Sequence, residues 1–168
     1  KKNYIKKIRQ GFYIFSDLEI NEQALFIIAN RIHEPSYISL EMALSFYGFI
    51  PEAVYGITSV TSQKTRTIKT PVGGFTYRHI KSELLFGYEL RECDGHRYQI
   101  AETEKAILDY LYFNSKTKDE ESFKSMRFNA DEFRKRVNME KFDKYLVAFN
   151  NKALTRRVKR FLTYIEYA

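Results

Sequence analysis

Three carboxylates, Glu102, Glu104 and Asp109, lie close enough along the chain to be tested as the paired acids that hold a divalent metal in a nuclease. They fail on spacing, because Glu104 and Asp109 are five residues apart and share a helix face poorly. The acid-x-Lys pair of restriction-type nucleases would also need an acid at position 103, where Thr103 stands. Helix capping and the helix dipole account for these carboxylates better. A second candidate is Cys93-x-x-His96, two metal-ligand types on either side of Asp94-Gly95. A hairpin turn brings such residues together anyway, and structural zinc takes four ligands. Only His33 and His79 remain to complete the set, both from distant segments. No Gly-x-Ser-x-Gly, phosphate-binding loop or Gly-Ser dipeptide of nucleotidyltransferases occurs. The sequence therefore assigns no catalytic residue, metal or cofactor.

The charge pattern is more informative. Against 21 Asp+Glu stand 28 Lys+Arg, a formal net charge of +7, which favours polyanionic partners, nucleic acid first and an acidic membrane surface second. The cations are clustered. Lys1, Lys2, Lys6, Lys7 and Arg9 precede the first acid, Asp17. Lys64, Arg66 and Lys69 sit beside threonine-rich segments, and residues 152–160 hold Lys152, Arg156, Arg157, Lys159 and Arg160 with no acid. The candidate duplex-DNA contacts are thus Lys6, Lys7, Arg9, Lys64, Arg66, Arg156, Arg157, Lys159 and Arg160. Each group has a plainer reading beside it: an edge strand protected by lysines, an exposed hairpin tip, and the solvated side of an amphipathic helix.

The elements that must carry these groups follow from periodicity. Residues 1–16 are rich in strand formers with Gln10-Gly11 at the centre, which predicts a basic β-hairpin. A short acidic joint leads to a helix over 23–32, with Leu25, Ile28, Ala29 and Ile32 on one stripe. A second helix starts at Ser39, which can cap it, and stops at Gly48 before Pro51. Leu40, Ala43, Leu44 and Tyr47 form its buried face, and Ile50 is placed to fold back on it. From Ala53 to Ile100 the period changes to two, with Gly73-Gly74 as a break and Asp94-Gly95 as a two-residue hairpin turn, which predicts an antiparallel sheet. Thr103 can cap a helix to residue 113, with Ile107, Leu108, Leu111 and Tyr112 inward. A charged loop over 114–122 follows, then helices near 130–137, 139–149 and 152–167. The last carries Leu154, Val158, Phe161, Leu162 and Ile165 on its apolar stripe. The fold class expected is α+β: an antiparallel sheet covered by helices, preceded by a basic hairpin (1–16) and followed, within a main unit over 22–168, by a helical C-terminal region (130–168).

Tyr37-Ile38-Ser39-Leu40-Glu41-x-Ala43-Leu44-x-x-Tyr47-Gly48-x-Ile50-Pro51-Glu52 resembles the signature of the AbiEi antitoxins, transcriptional regulators of type IV toxin–antitoxin (abortive infection) systems. Further matches follow in order: Ile57-Thr58-Ser59-Val60-Thr61, Thr70-Pro71-x-Gly73, Phe75-x-Tyr77-x-His79-Ile80, Phe86-Gly87-Tyr88 and Ile100-Ala101-x-x-Glu104-Lys105-Ala106-x-x-Asp109. They cover roughly residues 5–113. The family pattern usually has Ser-Pro before Glu-Lys-Ala, where this chain has Glu102-Thr103. The resemblance implies that the hairpin is the wing of an N-terminal winged helix-turn-helix domain, whose base-reading helices then lie outside this chain. It also implies a non-enzymatic antitoxin and autorepressor that binds its own promoter and opposes a nucleotidyltransferase-type toxin without a stable complex. The rivals are a metal-dependent nuclease of a defence system and a non-enzymatic interaction module.

With 44% hydrophobic residues, 14 Phe and 13 Tyr, the 168 residues can fill a core. The longest apolar run, Ala24–Ala29, falls far short of the ~20 residues of a membrane helix. A lone Cys93 and no secretion leader fit a reducing, cytoplasmic setting, and the opening Lys1-Lys2-Asn3 without methionine suggests a preceding segment.

Overall fold

The computed structural model describes residues 5–17, 19–51 and 55–168. Lys1, Lys2 and Tyr4 of the expected hairpin, Glu52 of the helix motif and Ala53 at the start of the strand region lie outside them. The first two strands, β1 (Ile5–Arg9) and β2 (Phe12–Phe15), form a separate antiparallel ribbon turning at Gly11, whose φ of +83° suits glycine. The hairpin expected there is present.

The main body has a six-stranded sheet of order β5-β6-β4-β3-β8-β7, made of β3 (Ser36–Ile38), β4 (Ile57–Thr61), β5 (Arg66–Thr70), β6 (Gly73–His79), β7 (Tyr88–Cys93) and β8 (His96–Ala101). The α+β class holds, but the sheet is mixed and not purely antiparallel. β3 runs parallel to β8 and β4 parallel to β6. The reason lies in which strands tolerate water. β6 buries Phe75 and Tyr77 and takes an interior place between β4 and β5, whereas β5 carries exposed Arg66 and Lys69 and is left at the edge. The glycines Gly73 and Gly74 do not break the sheet. They begin β6, and the turn falls at Pro71 and Val72.

α1 (Glu22–Ile32) covers one face, where the Tyr77 hydroxyl donates to the Ala29 carbonyl at 2.6 Å and Phe26 meets Tyr98 edge-on. Phe26, Ala29 and Ile32 are its buried apolar anchors; Leu25 and Ile28 of the expected stripe are only partly buried. α3 (Thr103–Phe113) meets the opposite face, reaching Tyr37 of β3 and placing Phe113 under the Arg78 guanidinium. The alternation of Tyr77 and Arg78 to opposite faces is the pleat at work.

α2 (Leu40–Phe46) ends as the sequence dictates. The Phe49 N–H bonds the Leu44 carbonyl at 2.8 Å and the Gly48 N–H the Ser45 carbonyl at 2.9 Å, with Gly48 at φ +75°. The residue that folds back is Phe49, fully buried, and not Ile50. Its start corrects the expectation, because Ser39 makes no side-chain cap. Thr58 of β4 takes that role, accepting from the Met42 N–H at 3.0 Å and donating to the Ser39 carbonyl at 2.7 Å.

After a loop over 114–119, α4 (Glu120–Ser125) appears where only a loop was expected, nucleated by an Asp119/Ser122 capping box. α5 (Ala130–Arg136), α6 (Met139–Phe149) and α7 (Lys152–Tyr167) fall where periodicity put them, each capped by an asparagine: Asn129, Asn138 and Asn151. α6 and α7 pack on α3, and no helix among the described residues is long and apolar enough to cross a membrane.

Gly87 marks the tightest packing of this layer. It holds φ +71°, and a Cβ there would stand 3.0 Å from Tyr145 and 3.1 Å from the Lys105 side chain. Left-handed strain and overpacking together predict that Gly87→Ala costs roughly 2 kcal/mol or more. A urea midpoint equal to wild type would contradict this.

Candidate nucleic-acid interface

Most of the cations picked out in the sequence sit on exposed backbone, but folding divides them into free and engaged groups. Lys6 and Lys7 are exposed on β1, and no acid among the described residues pairs with them. Arg9, by contrast, turns inward. Its Nη1 donates to the Ile32 carbonyl at 2.7 Å while its guanidinium lies 5.6 Å from the Phe12 ring centre. Together with buried Ile8 it ties the ribbon to α1, so its first task is anchoring.

Lys64 and Arg66 are exposed on and before β5 and likewise carry no ion pair among the described residues. The fold brings them to the hairpin anchor. Arg66 lies opposite Tyr77 in the β5–β6 register, and the His33 ring packs 4.6 Å from the Tyr77 ring. His33 itself follows Ile32, the residue that Arg9 grips, and hydrogen-bonds the Lys64 backbone. Burial first, then repulsion from Arg66 and Arg9, holds its imidazole below the usual histidine range, against the Lys64 bond. Its Nε2 is buried without a hydrogen-bond partner. Two clusters separated by over fifty residues in the sequence thus adjoin around one histidine that the sequence reading used only as a remote metal candidate. No local signal marked it, because its neighbours come from three separate elements.

The α7 group is split as well. Arg156, Lys159 and Arg160 are exposed, and Arg160 makes only a long contact, 3.4 Å, to the Lys118 carbonyl. Arg157 is half-buried and donates to the Leu111 carbonyl of α3, with its Nε buried and unpartnered. It fastens α7 to α3. Of the nine candidates, Arg9 and Arg157 are therefore positioned as structural ties.

The carboxylates considered for metal chemistry are each occupied by hydrogen-bond donors of other elements. Glu102 takes the Tyr145 hydroxyl and, at 3.2 Å, Lys141 Nζ; Glu104, 2% exposed, accepts the Asn138 N–H at 2.8 Å. The hydrogen bond from Lys141 to Glu102 raises the ammonium above its ordinary range, and burial followed by the Glu102 bond pushes the Tyr145 phenol up. These residues bind α6 to the start of α3. They do not cap α3, which was the expected role: Thr103 is its first residue and Glu102 makes no side-chain cap bond. Asp109 points elsewhere, into the core. Its Oδ1 meets Lys105 Nζ at 2.5 Å, and its Oδ2 accepts from the Tyr37 hydroxyl at 2.8 Å and Ser39 Oγ at 2.9 Å. Both Lys105 and Asp109 side chains are wholly buried. Lys105 also donates to the Tyr37 oxygen at 2.7 Å and is ringed by Tyr37, Phe86 and Phe149 at 4.9–5.3 Å.

Cys93 and His96 face each other as a cross-strand pair at the β7–β8 turn, with Asp94 and Gly95 both at positive φ. No group of three or more His, Cys, Asp or Glu side chains among the described residues is placed to hold a metal ion. Cys93→Ser is expected to leave stability and DNA affinity within error of wild type; stoichiometric zinc in the purified protein, by elemental analysis, would overturn that. No protein-family model matches the chain, and no curated protein matches it.

Proposed function

We propose that the chain is the body of a DNA-binding regulator, an AbiEi-like antitoxin that represses its own promoter in the cytoplasm and opposes a nucleotidyltransferase-type toxin. The observation that carries the reading is the set of exposed cations, Lys6, Lys7, Lys64 and Arg66, that stand without acid partners among the described residues. Unpaired lysines and arginines on strands gain most by neutralising phosphates and releasing counterions. The resemblance supports it residue by residue. Tyr37, Ser39, Lys105 and Asp109 of the quoted motifs form one buried network, Thr58 caps α2, Gly48 ends it, and Gly87 admits Lys105. In a winged domain the outward side of the hairpin packs on helices, and Ile5, Tyr13 and Phe15 present an exposed apolar side of that kind.

The rival nuclease reading has no comparable support, since its three acids are spent on Tyr145, Lys141, Asn138 and Lys105. The expected behaviour of these 168 residues is weak duplex binding with little sequence preference and a steep loss with salt. Co-expression with the nucleotidyltransferase toxin expected in the neighbouring reading frame should restore growth. Toxicity undiminished by the chain, with no retention of promoter duplex at low salt, would sink the proposal. Mg²⁺-dependent cleavage lost in Glu104→Ala would favour the nuclease.

A further inference from the structure

We propose that Lys6 and Lys7 of the hairpin and Lys64 and Arg66 at the sheet edge form one continuous track for nucleic-acid phosphates, joined across His33. The inference rests on the DNA-binding reading above and says which surface of the main body takes part. Four observations make the two clusters neighbours. Arg9 hydrogen-bonds the Ile32 carbonyl, His33 follows directly in the chain, its ring bonds the Lys64 backbone, and it packs on Tyr77, the cross-strand partner of Arg66. Lys6 and Lys7 pair with Ile14 and Tyr13 in the ribbon that Arg9 anchors, so the anchor also fixes where their ammonium groups stand. Both edges of the junction are cationic, and β5 has nothing beyond it in the sheet, which leaves its outer side open to a strand of phosphates.

The histidine gives the track a chemical signature. The groups around it are Arg9 from β1, Lys64 and Arg66 from the β4–β5 segment, the Tyr77 phenol from β6 and, next in the chain, exposed Glu34. In the free protein, burial and the two guanidiniums keep the imidazole neutral. A phosphate lying against Arg66 opposes that repulsion and lifts the imidazole in the complex above its free value. Binding then takes up a proton, and affinity rises as pH falls from the bound-state value toward the lower free-state value, tenfold for each unit separating them.

The test is a fluorescence-anisotropy titration of a fluorescein-labelled promoter duplex over about 50–200 mM salt. Lys64→Ala/Arg66→Ala is expected to lower the slope of log affinity against log salt by roughly 1.8, Lys6→Ala/Lys7→Ala by a similar amount, and the fourfold variant by about the sum. A labelled single strand run beside it separates the two polyanions, with slopes smaller by the ratio of about 0.7 to 0.9 if the single strand follows the same track. Repeating the titration between about pH 5.5 and 7.5, which spans the imidazole range, His33→Gln should lose the gain at low pH that His79→Gln and His96→Gln keep. An unchanged slope in Lys64→Ala/Arg66→Ala beside a lowered one in Lys6→Ala/Lys7→Ala overturns the track and leaves DNA binding standing. Wild-type pH dependence in His33→Gln overturns the junction. No duplex binding by the wild type overturns both the track and the reading beneath it.

Discussion

Asp109→Ala is expected to destabilise the fold by about 3–5 kcal/mol, one of the largest losses open to a single substitution here. The cause is the partner left behind. Lys105 is wholly buried, and with Asp109 gone its ammonium keeps only the Tyr37 oxygen and three ring faces. Tyr37 and Ser39 lose their acceptor in the same step. Removing both charges together should cost far less, because well-packed apolar side chains replace a buried pair at little net expense; Lys105→Met/Asp109→Leu is expected to recover most of the loss. The pH dependence has a definite sign. Burial holds Lys105 below its ordinary value and Asp109 opposes that, so in Asp109→Ala the folded-state value drops further. Wherever the unfolded chain binds more protons than the folded one, stability rises with pH. The deficit of Asp109→Ala should therefore shrink as pH climbs from the folded-state value of Lys105 toward its unfolded one. Urea midpoints for the three proteins across neutral to alkaline pH check this, and a single variant as stable as the double one would refute the account.

Phe161→Ala is expected to cost about 3–5 kcal/mol by emptying the centre of the C-terminal helices. The ring is fully buried and meets Phe123, Phe128 and Phe133 edge-on at centroid distances of 5.5, 5.0 and 5.9 Å, which join α4, the following loop and α5 to α7. The neighbours are rigid rings, so the cavity has little chance to close. Leu162→Ala, one residue along the same helix but only partly buried, should cost much less. Thermal or urea unfolding that ranks the two equally would show that the apolar stripe, and not this aromatic cluster, holds α7 in place.

The two substitutions differ in how visible they were. Phe161 belonged to a helical stripe that the spacing of Leu154, Val158 and Ile165 announced. Asp109 was weighed as a metal ligand and as a helix-dipole partner, and it serves as neither. Its donors Tyr37 and Ser39 are 72 and 70 residues away. Ser39 illustrates the same limit from the other side, since it has the type and place of an N-cap yet gives its hydroxyl to Asp109 while Thr58 caps in its stead.

What the sequence determined by itself was local. Apolar spacing located α1, α3, α5, α6 and α7, glycine chemistry located the stops at Gly11, Gly48 and Gly95, and clustering exposed three cationic groups. Each of these depends on residues within a few positions, where helix and strand periods act directly. Tertiary structure decided the rest. It made β3, three residues long and too short to show a period, a central strand of a mixed sheet. It spent Arg9 and Arg157 on carbonyls of α1 and α3, buried Lys105 with Asp109, and set Lys64 and Arg66 beside the hairpin at His33. A charge has no period, so its role depends on which partner the folded chain brings within about 3 Å, and that partner is fixed only when distant segments pack.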